Sequence, residues 1–483
     1  MIARTTLGLV TLALCGCGNT AAEDAAPAAT VEAGTPERDG SDWPQFLGPD
    51  RDGTTPEPLR HADWSAHPPK EAWSRPTGTG YAAPAVLGNR LIVFHRVGDE
   101  EITECVRADT GELVWKTAAP SDFSDPYGYN NGPRCAPLLT DGLCVTFGAE
   151  GRLRVSDLAT GGLKWERPTG EEFDVPRAFF GVGATPVAED GLLFVPVGGQ
   201  PDAGLVAMDL RTGETFWEAV GLRTWNGAET DDRRQPAYNW TGDEMVVSYS
   251  SPVLATIHGK RHLLLLARQG LVSVDPKTGE ENFHYWFRST THESVNAACP
   301  VVHEDTILLS APYGVGSALL RVAEDGEAVE ELWRVRRGGL EAHWGTPVYR
   351  DGHYYGFSGR NESGATLMCV DAQNGSVVWQ TSGFEGDPSD LGRESDGWVD
   401  RRTGETIPFP FFGRGSLSLC GDRFVAIGER GTLAAFEASP EGYRETGRVA
   451  APGLSYPSWP APVYSRGRLF LRDEDTLLAL DLK

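Results

Sequence analysis

The chain has 483 residues, with 68 Asp and Glu against 43 Lys and Arg, which gives a formal net charge of −25. A surface this acidic repels phosphate backbones, so nucleic acid is excluded as the expected partner. The 14 Trp and 4 Met favour a β protein with aromatic residues on its strands. The length alone suggests about three domains, but a single repeat array can absorb a chain of this length.

Residues 1–16 have the pattern of a signal peptide. Arg4 provides a short basic region, and Leu7–Leu14 form an apolar run that is too short to span a bilayer. The following "LCGC" resembles the lipobox of bacterial lipoproteins, in which the peptide is cut before a cysteine that then takes a diacylglycerol. The resemblance assigns the lipid to Cys17. The alternative is an ordinary secreted protein with a stray cysteine.

Residues 17–40 are expected to form a disordered tether, because they lack apolar periodicity and are rich in Ala, Pro, Thr and acidic residues. Gly18, rather than an aspartate, follows the cysteine. By resemblance to the sorting rule of Gram-negative lipoproteins, this favours the outer membrane, with the protein facing the periplasm. No later segment is apolar enough to span a membrane, so the lipid is the expected membrane contact.

Residues 41–483 repeat a unit that contains an Asp-x-x-Thr-Gly turn followed by an aromatic residue. In chain order the eight copies are "CVRADTGELVW" (105–115), "VSDLATGGLKW" (155–165), "AMDLRTGETFW" (207–217), "SVDPKTGEENF" (273–283), "RVAEDGEAVEELW" (321–333), "CVDAQNGSVVW" (369–379), the eroded "AFEASPEGY" (435–443) and the truncated "ALDLK" (479–483). A period of this size indicates a repeat architecture in which each unit is one supersecondary element.

A second signature precedes each turn. Alternating apolar runs flank an Asp-Gly or related turn, as in "TDGLCVTFGA" and "EDGLLFVPVG", and this is a strong hairpin signal. A proline opens each hairpin except in the seventh copy, which has "GSLS": Pro84, Pro137, Pro186, Pro252, Pro300, Pro347 and Pro462. Each unit therefore predicts four short strands, a to d, with the aromatic residue on strand d. Eight such units predict an all-β, eight-bladed β-propeller.

The last unit contains strands a, b and c but no strand d. Near the N-terminus, "PKEAWSRPTG" (69–78) places Trp73 on a strand that has no partner upstream. An open propeller exposes unpaired sheet edges, so we predict that this segment supplies strand d of the last blade and closes the ring. The alternative, a frayed C-terminus, leaves Trp73 unexplained.

These repeats resemble the pyrroloquinoline quinone (PQQ) repeat propellers, in which a Trp on strand d docks against the next blade. That family includes BamB-like lipoproteins and quinoprotein alcohol dehydrogenases. The resemblance is closest to the BamB-like proteins of planctomycete-type bacteria, on "WPQFLGPDRDG" (43–53), "NGPRCAP" (131–137) and "EASPEGYRE" (437–445). It covers the chain from about residue 43 to the end. It is specific for fold and weak for function, since one fold serves many chemistries.

The resemblance also implies a test for a cofactor. PQQ enzymes hold the quinone over the funnel of the ring, beside a Ca²⁺ bound by Glu, Asn and Asp, and many have a disulfide between adjacent cysteines. This sequence has neither a Cys-Cys pair nor a Cys-x-x-Cys-His run. "GPDRDGT" (48–54) lacks the acidic positions of an EF-hand loop and is interpreted as a turn. PQQ with Ca²⁺ is therefore disfavoured, and no metal site or catalytic residue is predicted.

The other cysteines of the propeller are expected to be small buried residues with few or no disulfides. They are Cys105, Cys135, Cys144, Cys299, Cys369 and Cys420.

The connections from strand d to the next strand a gain length and unusual residues, notably in 221–250 and 382–414. In a propeller these connections open on one face, around the central axis. Aromatic, polar and cationic residues stand just before each strand a and are the candidate ligand-binding residues: Tyr81, Arg134, Tyr249, Asn296, His343, Trp344, Arg414 and Trp459. Such a ring offers stacking surface and anion contacts for a ligand. The alternative is that these residues only plug the mouth of the channel.

The sequence thus favours a lipid-anchored envelope propeller that acts as a binding or assembly scaffold, without an enzyme activity. A protein partner or a small molecule is expected at the funnel face, and the protein is expected to be a monomer. A PQQ-dependent dehydrogenase with a degenerate site is one alternative, and carbohydrate or polymer binding at the funnel is another. For the funnel we predict that Tyr81, Arg134, Arg414 and Trp459 face one cavity.

Overall fold

The computed structural model describes residues 39–61, 63–176, 180–225, 248–289, 291, 294–384, 386–394, 397–407 and 409–482. The expected signal peptide, Cys17, nearly all of the tether and residues 226–247 lie outside this part of the chain. Within these ranges, helix is limited to two single turns, Thr169–Glu172 and Leu222–Trp225, and one 3-10 turn, Pro388–Asp390. None of the described helices has the length and apolar character needed to cross a membrane.

Eight sheets of at least four strands confirm the predicted eight blades. Strands a to d of blades 1 and 2 are Ala85–Leu87, Arg90–Val97, Glu100–Arg107 and Leu113–Pro120, then Leu138–Thr140, Leu143–Phe147, Arg152–Asp157 and Leu163–Pro168. Those of blades 3 and 4 are Val187–Glu189, Leu192–Val195, Leu205–Asp209 and Thr215–Ala219, then Val253–Ile257, Lys260–Leu266, Gly270–Val274 and Glu281–Trp286.

Blades 5 and 6 comprise Val301–His303, Thr306–Ala311, Gly316–Val322 and Val329–Val335, then Val348–Arg350, His353–Ser358, Thr366–Asp371 and Val377–Thr381. Blade 7 comprises Gly415–Cys420, Arg423–Gly428, Thr432–Glu437 and Glu445–Ala450, and blade 8 begins with Val463–Ser465, Arg468–Arg472 and Thr476–Asp481. A separate sheet, Leu391–Glu394, Gly397–Asp400 and Glu405–Ile407, lies in the connection between blades 6 and 7.

The turns have the geometry that their sequence predicts. Asp141 and Gly142, between strands a and b of blade 2, have φ angles of 51° and 74°. Two positive φ angles define the hairpin turn that matches strand twist, and this turn favours Asp-Gly. In the turn between strands c and d, the Asp157 carboxylate accepts from the backbone N–H groups of Ala159 (3.1 Å) and Thr160 (3.0 Å). The repeated aspartate therefore holds its turn closed.

The strand-d tryptophan and the glycine of the next blade's turn form one packing unit. In blade 1, Trp115 donates its indole N–H to the Leu158 carbonyl of blade 2 at 3.0 Å. A Cβ atom on Gly161 would lie 2.7 Å from the Trp115 ring, so only glycine allows this contact. The same arrangement joins Trp73 to Gly111, Trp165 to Gly213, Trp217 to Gly279 and Trp333 to Gly375. The repeat motif therefore forms the packing contact between adjacent blades, as the family resemblance implied.

The ring closes as predicted. Lys70–Pro76 pairs antiparallel with Thr476–Asp481 and supplies strand d of blade 8. Trp73 lies opposite Ala479, and its indole N–H donates to the Ala108 carbonyl of blade 1 at 3.1 Å. The two ends of the propeller thus form one blade.

Blade 7 takes its tryptophan from outside the repeat. Gly447 stands on its strand d, and a Cβ atom there would lie 2.4 Å from Cβ of Trp64. Trp64 is 2% exposed and packs with Val425 and Leu433. The eroded seventh repeat is thereby completed by the N-terminal region, which the sequence did not predict.

Residues 41–58, the crossing segment, pass over the inner strands of the ring. The segment begins at blade 1, where Trp43 exchanges two backbone hydrogen bonds with Val86. Arg51 then donates to the carbonyls of Thr185, Pro186 and Pro252, at 2.8, 3.0 and 3.1 Å.

The segment ends at blades 7 and 8. Thr54–Thr55 pairs in parallel with Leu419 and Cys420, and Glu57 accepts from the Gly467 N–H at 2.6 Å. The turn interpretation of 48–54 is consistent with Asp52, which accepts from the Thr54 N–H at 2.9 Å. The sequence did not predict that the segment spans the ring.

The core lies between adjacent blades. Phe194 and Leu205 of blade 3, for example, pack with Leu263 and Leu265 of blade 4, and all four are buried. The six described cysteines, Cys105, Cys135, Cys144, Cys299, Cys369 and Cys420, are buried and carry free thiols. Their expected role as small buried residues is confirmed.

Candidate functional site

A cavity of about 340 Å³ opens at the centre of the ring. Its wall comes from the residues that precede strand a in successive blades and from connections between strands b and c. Phe46 and Leu47 of the crossing segment also line it. The turns that carry Thr-Gly join strands c and d and therefore lie on the opposite face. The cavity is thus the funnel expected from the sequence, with apolar side chains from the crossing segment.

Seven of the eight candidate residues line this cavity: Tyr81, Arg134, Tyr249, His343, Trp344, Arg414 and Trp459. The exception is Asn296, which is 4% exposed. Its side-chain amide donates to the carbonyls of Ala267 (2.8 Å) and Phe287 (3.2 Å). Asn296 therefore secures the connection before blade 5, and the neighbouring Val295 and Ala297 form the wall.

The rings form a continuous arc along one side of the cavity. The ring centroids of Tyr81 and Trp459 are 4.7 Å apart, and those of Trp459 and Trp344 are 4.9 Å apart. His343 continues the arc at 5.0 Å from Trp344, and Tyr313 follows at 5.8 Å from His343. The ring planes are tilted or edge-on, which suits a concave wall.

Arg414 stands at the middle of this arc. Its guanidinium carbon lies 4.7 Å from the Trp344 ring centroid and 5.1 Å from that of Trp459. Glu429, whose side chain is 0% exposed, forms an ion pair with Arg414 at 2.7 Å and accepts from the Trp459 indole N–H at 3.1 Å. The positive charge of Arg414 is thus compensated inside the protein.

Arg134 is compensated in the same way. Its guanidinium donates to the Asp125 carboxylate at 2.9 Å, and the Asp125 side chain is 0% exposed. The Arg134 guanidinium carbon also lies 5.6 Å from the Tyr81 ring centroid. Burial lowers the pKa of Arg134, and the Asp125 charge opposes that shift. The two predicted arginines therefore face one cavity with Tyr81 and Trp459, as expected, but each has its own carboxylate.

The hydroxyl of Tyr81 donates to the Glu474 carboxylate at 2.9 Å, and the Asn130 amide donates to the same oxygen at 2.6 Å. Burial and the Glu474 charge raise the pKa of Tyr81, so the phenol keeps its proton. Opposite this arc, Tyr249 accepts from the Phe180 backbone N–H at 2.8 Å, and Phe180 is 5.9 Å from the exposed ring of Tyr129. The rim is aromatic on both sides.

His343 contributes a neutral ring. Burial lowers its pKa to about 3, and the charges of Arg414 and Arg360 act in the same direction. Its Nε2 lies 3.3 Å from the Tyr313 hydroxyl. His343 therefore adds no charge to the cavity at neutral pH.

Sequence reasoning missed three cavity residues that come from connections between strands b and c. Tyr313 belongs to blade 5, and Arg360 and Asn361 belong to blade 6. The Arg360 guanidinium carbon lies 4.5 Å from the Tyr313 ring centroid. Because strands alternate in direction, connections b–c and d–a reach the same face, and this topological signal could have identified them.

The residues around the cavity do not fit a quinone with Ca²⁺. Such a site needs carboxylate oxygens that are available to the cation. Asp125 and Glu429 are instead bonded to arginines, and Glu474 accepts from Tyr81 and Asn130. No group of three or more His, Cys, Asp or Glu side chains in the described part of the chain could hold a metal ion. We therefore derive no step through this cofactor.

Comparisons with known proteins agree with this architecture. A family model described as "Outer membrane protein assembly factor BamB" matches residues 63–237 and 221–381. BamB from Moraxella catarrhalis superposes with a TM-score of 0.51 at 12% identity, over 86% of this chain and 97% of that chain. Among curated proteins, no relative matches the chain.

Two enzymes share the fold. Quinohemoprotein alcohol dehydrogenase from Comamonas testosteroni superposes with a TM-score of 0.59 at 13% identity, over 91% of this chain and 80% of that chain. The quinohemoprotein alcohol dehydrogenase ADHIIG from Pseudomonas putida HK5 gives a TM-score of 0.56 at 13% identity, over 92% of this chain and 80% of that chain. At these identities the likeness shows the fold and leaves the chemistry to the site.

Proposed function

Because this chain belongs to the PQQ-repeat family that the BamB model describes, we propose that it is an envelope propeller that binds a ligand or partner segment in its central cavity. The observation that carries this proposal is the arc from Arg134 through Tyr81, Trp459 and Arg414 to Trp344, which faces one cavity. Aromatic residues and arginine are the residue types that dominate binding hot spots.

The proposal includes a lipid anchor at Cys17, which places the propeller at the outer membrane and facing the periplasm. The lipobox-like "LCGC" and Gly18 support this part. A diacylglycerol carries two acyl chains, and stable anchoring takes two chains or an equivalent second signal.

Binding is favoured over quinone-dependent oxidation because of the way the arginines are held. Arg414 and Arg134 occupy the carboxylates that a metal would need. Breaking a buried ion pair of this type costs about 3–5 kcal/mol. A Ca²⁺ that used these two carboxylates would therefore have to displace both arginines.

A ligand screen with residue-specific readout tests the proposal. The protein is labelled with 5-fluorotryptophan, and a library of small acids, amides, amines and sugars is screened by ¹⁹F NMR. We expect ligands that shift the Trp344 or Trp459 signal and that lose affinity in Trp459→Ala. The matched control is Phe216→Ala, because Phe216 is 62% exposed on strand d of blade 3, outside the cavity.

Ligands that shift only tryptophans of the outer strands would contradict a binding role for the cavity. The dehydrogenase alternative is tested by incubation with PQQ and Ca²⁺. A bound chromophore together with alcohol-dependent dye reduction would replace the binding proposal with an enzymatic one.

A further inference from the structure

Arg360 differs from the other two arginines of the cavity. It lies between strands b and c of blade 6, and its side chain is exposed. Its backbone carbonyl accepts from Arg414 at 3.3 Å, and its guanidinium lies over the Tyr313 ring. Within the described ranges, no carboxylate forms an ion pair with Arg360, whereas Arg414 and Arg134 are each paired with a buried one. Arg360 is therefore held at the rim with its charge available.

The charged groups around the cavity differ in whether they are paired. Of the described residues, three arginines line the cavity, and two of them form ion pairs with Glu429 and Asp125. A third carboxylate, Glu474, accepts hydrogen bonds from Tyr81 and Asn130. His343 is neutral because burial and the two neighbouring arginines disfavour its charged form. The guanidinium of Arg360 is therefore the cavity group that is left to bind a negatively charged group of a ligand.

The rest of the cavity lining favours a ligand that contains an aromatic ring. Trp344, Trp459 and Tyr81 present a concave aromatic wall, and Phe46 with Leu47 adds an apolar surface. A volume of about 340 Å³ lies at the lower end of the range for small-molecule sites, which is about 300–1,000 Å³. The cavity therefore has room for one small ring system and its substituent.

We propose that the cavity takes an aromatic carboxylate, with the ring against Trp344 and Trp459 and the carboxylate on the guanidinium of Arg360. This inference rests on the proposed function and specifies its ligand class. The bond is a charge-assisted hydrogen bond, for which the planar guanidinium is well suited. Two kinds of ligand combine an aromatic ring with a carboxylate. One is a free aromatic acid, and the other is the C-terminus of a peptide that ends in an aromatic residue.

Other ligand classes fit less well. A cation meets Arg360, and the bordering carboxylates are already bonded, Glu429 and Asp125 to arginines and Glu474 to Tyr81 and Asn130. Among the described lining residues, a polyanion finds one arginine without a paired carboxylate, in a protein whose net charge is −25. A sugar needs many hydrogen-bonding groups, and the hydroxyls of Tyr81, Thr346 and Ser416 in the described lining are already bonded within the protein.

The test is isothermal titration calorimetry with the full-length chain. The probes are 3-phenylpropionate, its neutral amide 3-phenylpropionamide, and 3-phenylpropan-1-amine. We expect the acid to bind about tenfold more tightly than the amide, which corresponds to about 1.4 kcal/mol. Arg360→Gln should abolish this preference. The control Arg321→Gln should keep it, since Arg321 is an exposed arginine that pairs with Asp305 on blade 5.

A second arm compares tetrapeptides that end in Phe with a free or an amidated C-terminus. Tighter binding of the free-acid peptide than of 3-phenylpropionate assigns the site to chain termini, and the reverse assigns it to small acids. Equal affinities for acid and amide in the wild type overturn the inference and leave the proposed function standing. Absence of binding by every ring probe at millimolar concentration also overturns it. The proposed function itself falls if the broader screen finds no ligand that is sensitive to Trp459→Ala.

Discussion

Trp73 lies opposite Ala479 in the antiparallel strand pair that closes the ring, and its indole packs on Gly111 of blade 1. One side chain thus joins the last blade to the first. We expect Trp73→Ala to lower the free energy of unfolding by about 2–4 kcal/mol, because this partly buried side chain loses its packing and its hydrogen bond to Ala108. Urea denaturation measures this loss.

Phe216→Ala, an exposed strand-d aromatic, is the control and should change stability by less than about 0.5 kcal/mol. Deletion of residues 69–78 should also abolish a single cooperative transition, because it opens a long sheet edge along Thr476–Asp481. Melting of the deletion variant like the full chain would show that this strand does not close the ring.

Arg51 ties the crossing segment to blades 3 and 4. It is 5% exposed and donates to three backbone carbonyls, and burial lowers its pKa to about 10, so it remains charged at neutral pH. Arg51→Met should cost about 3 kcal/mol or more, because buried carbonyls lose their donors. Thermal denaturation checks this.

Arg51→Lys should recover only part of this stability, because an ammonium cannot reproduce the fork of the guanidinium. A wild-type melting temperature for Arg51→Met would mean that the crossing segment is held by its other contacts.

Arg414 and Glu429 should behave as a coupled pair. Each single substitution, Arg414→Met or Glu429→Leu, leaves an uncompensated charge in a buried setting and should cost about 3–5 kcal/mol. The double variant should be more stable than either single variant. A double-mutant cycle from urea denaturation measures the coupling, and strictly additive losses would contradict the pairing.

Glu101 should make the stability of the propeller depend on pH. It is 3% exposed at the contact between blades 1 and 2, where it accepts from the Ala149 N–H at 2.7 Å. Burial, opposed by that hydrogen bond, raises the pKa of Glu101 to about 7 from the ordinary value of 4.5. Folding therefore favours the protonated form. The stabilising effect is complete below about pH 4.5 and is lost as the pH rises through about 7.

We expect Glu101→Gln to remove this loss, which should amount to about 1–3 kcal/mol between pH 5 and 8. Glutamine keeps an acceptor for the Ala149 N–H. Urea denaturation at several pH values makes the comparison. Parallel stability curves for wild type and Glu101→Gln would show that Glu101 titrates normally.

Cys17 carries the anchoring prediction. Cys17→Ser should move the protein from the membrane fraction to the soluble fraction, because the lipid is the membrane contact that the sequence predicts. Fractionation followed by immunoblotting measures the distribution. Membrane association of the serine variant that persists in high salt would contradict lipidation at this position.

The repeat made most of the fold predictable. Asp141-Gly142 and the Thr-Gly turns mark strand boundaries through local backbone geometry, so their meaning does not depend on distant contacts. Trp73 was predictable because it has the role of the strand-d tryptophan of the other blades, although it lies near the N-terminus and not after strand c of its own blade. Trp64 was not, because its role in blade 7 depends on the loss of a side chain at Gly447, 383 positions away by sequence number.

The candidate site was predictable where position in the repeat decides it. Arg414 and Trp459 precede strand a, and this fixes the face on which they lie. Their carboxylate partner Glu429 was not predictable, because it follows strand b of blade 7 and meets Arg414 only through the three-dimensional packing. Asn296 occupies the same repeat position as the cavity residues, but its side-chain amide donates hydrogen bonds to two nearby carbonyls and does not line the cavity.

The contact between Glu57 and Gly467 joins residues 410 positions apart, and the strand of Trp73 makes a similar long-range pairing with blade 8. Contacts of such sequence separation form late, because their loop-closure entropy must be met before they contribute. Individual blades depend on local hairpins and can form early. We therefore expect the two terminal regions to meet late in folding, and until then strand c of blade 8 has an open edge.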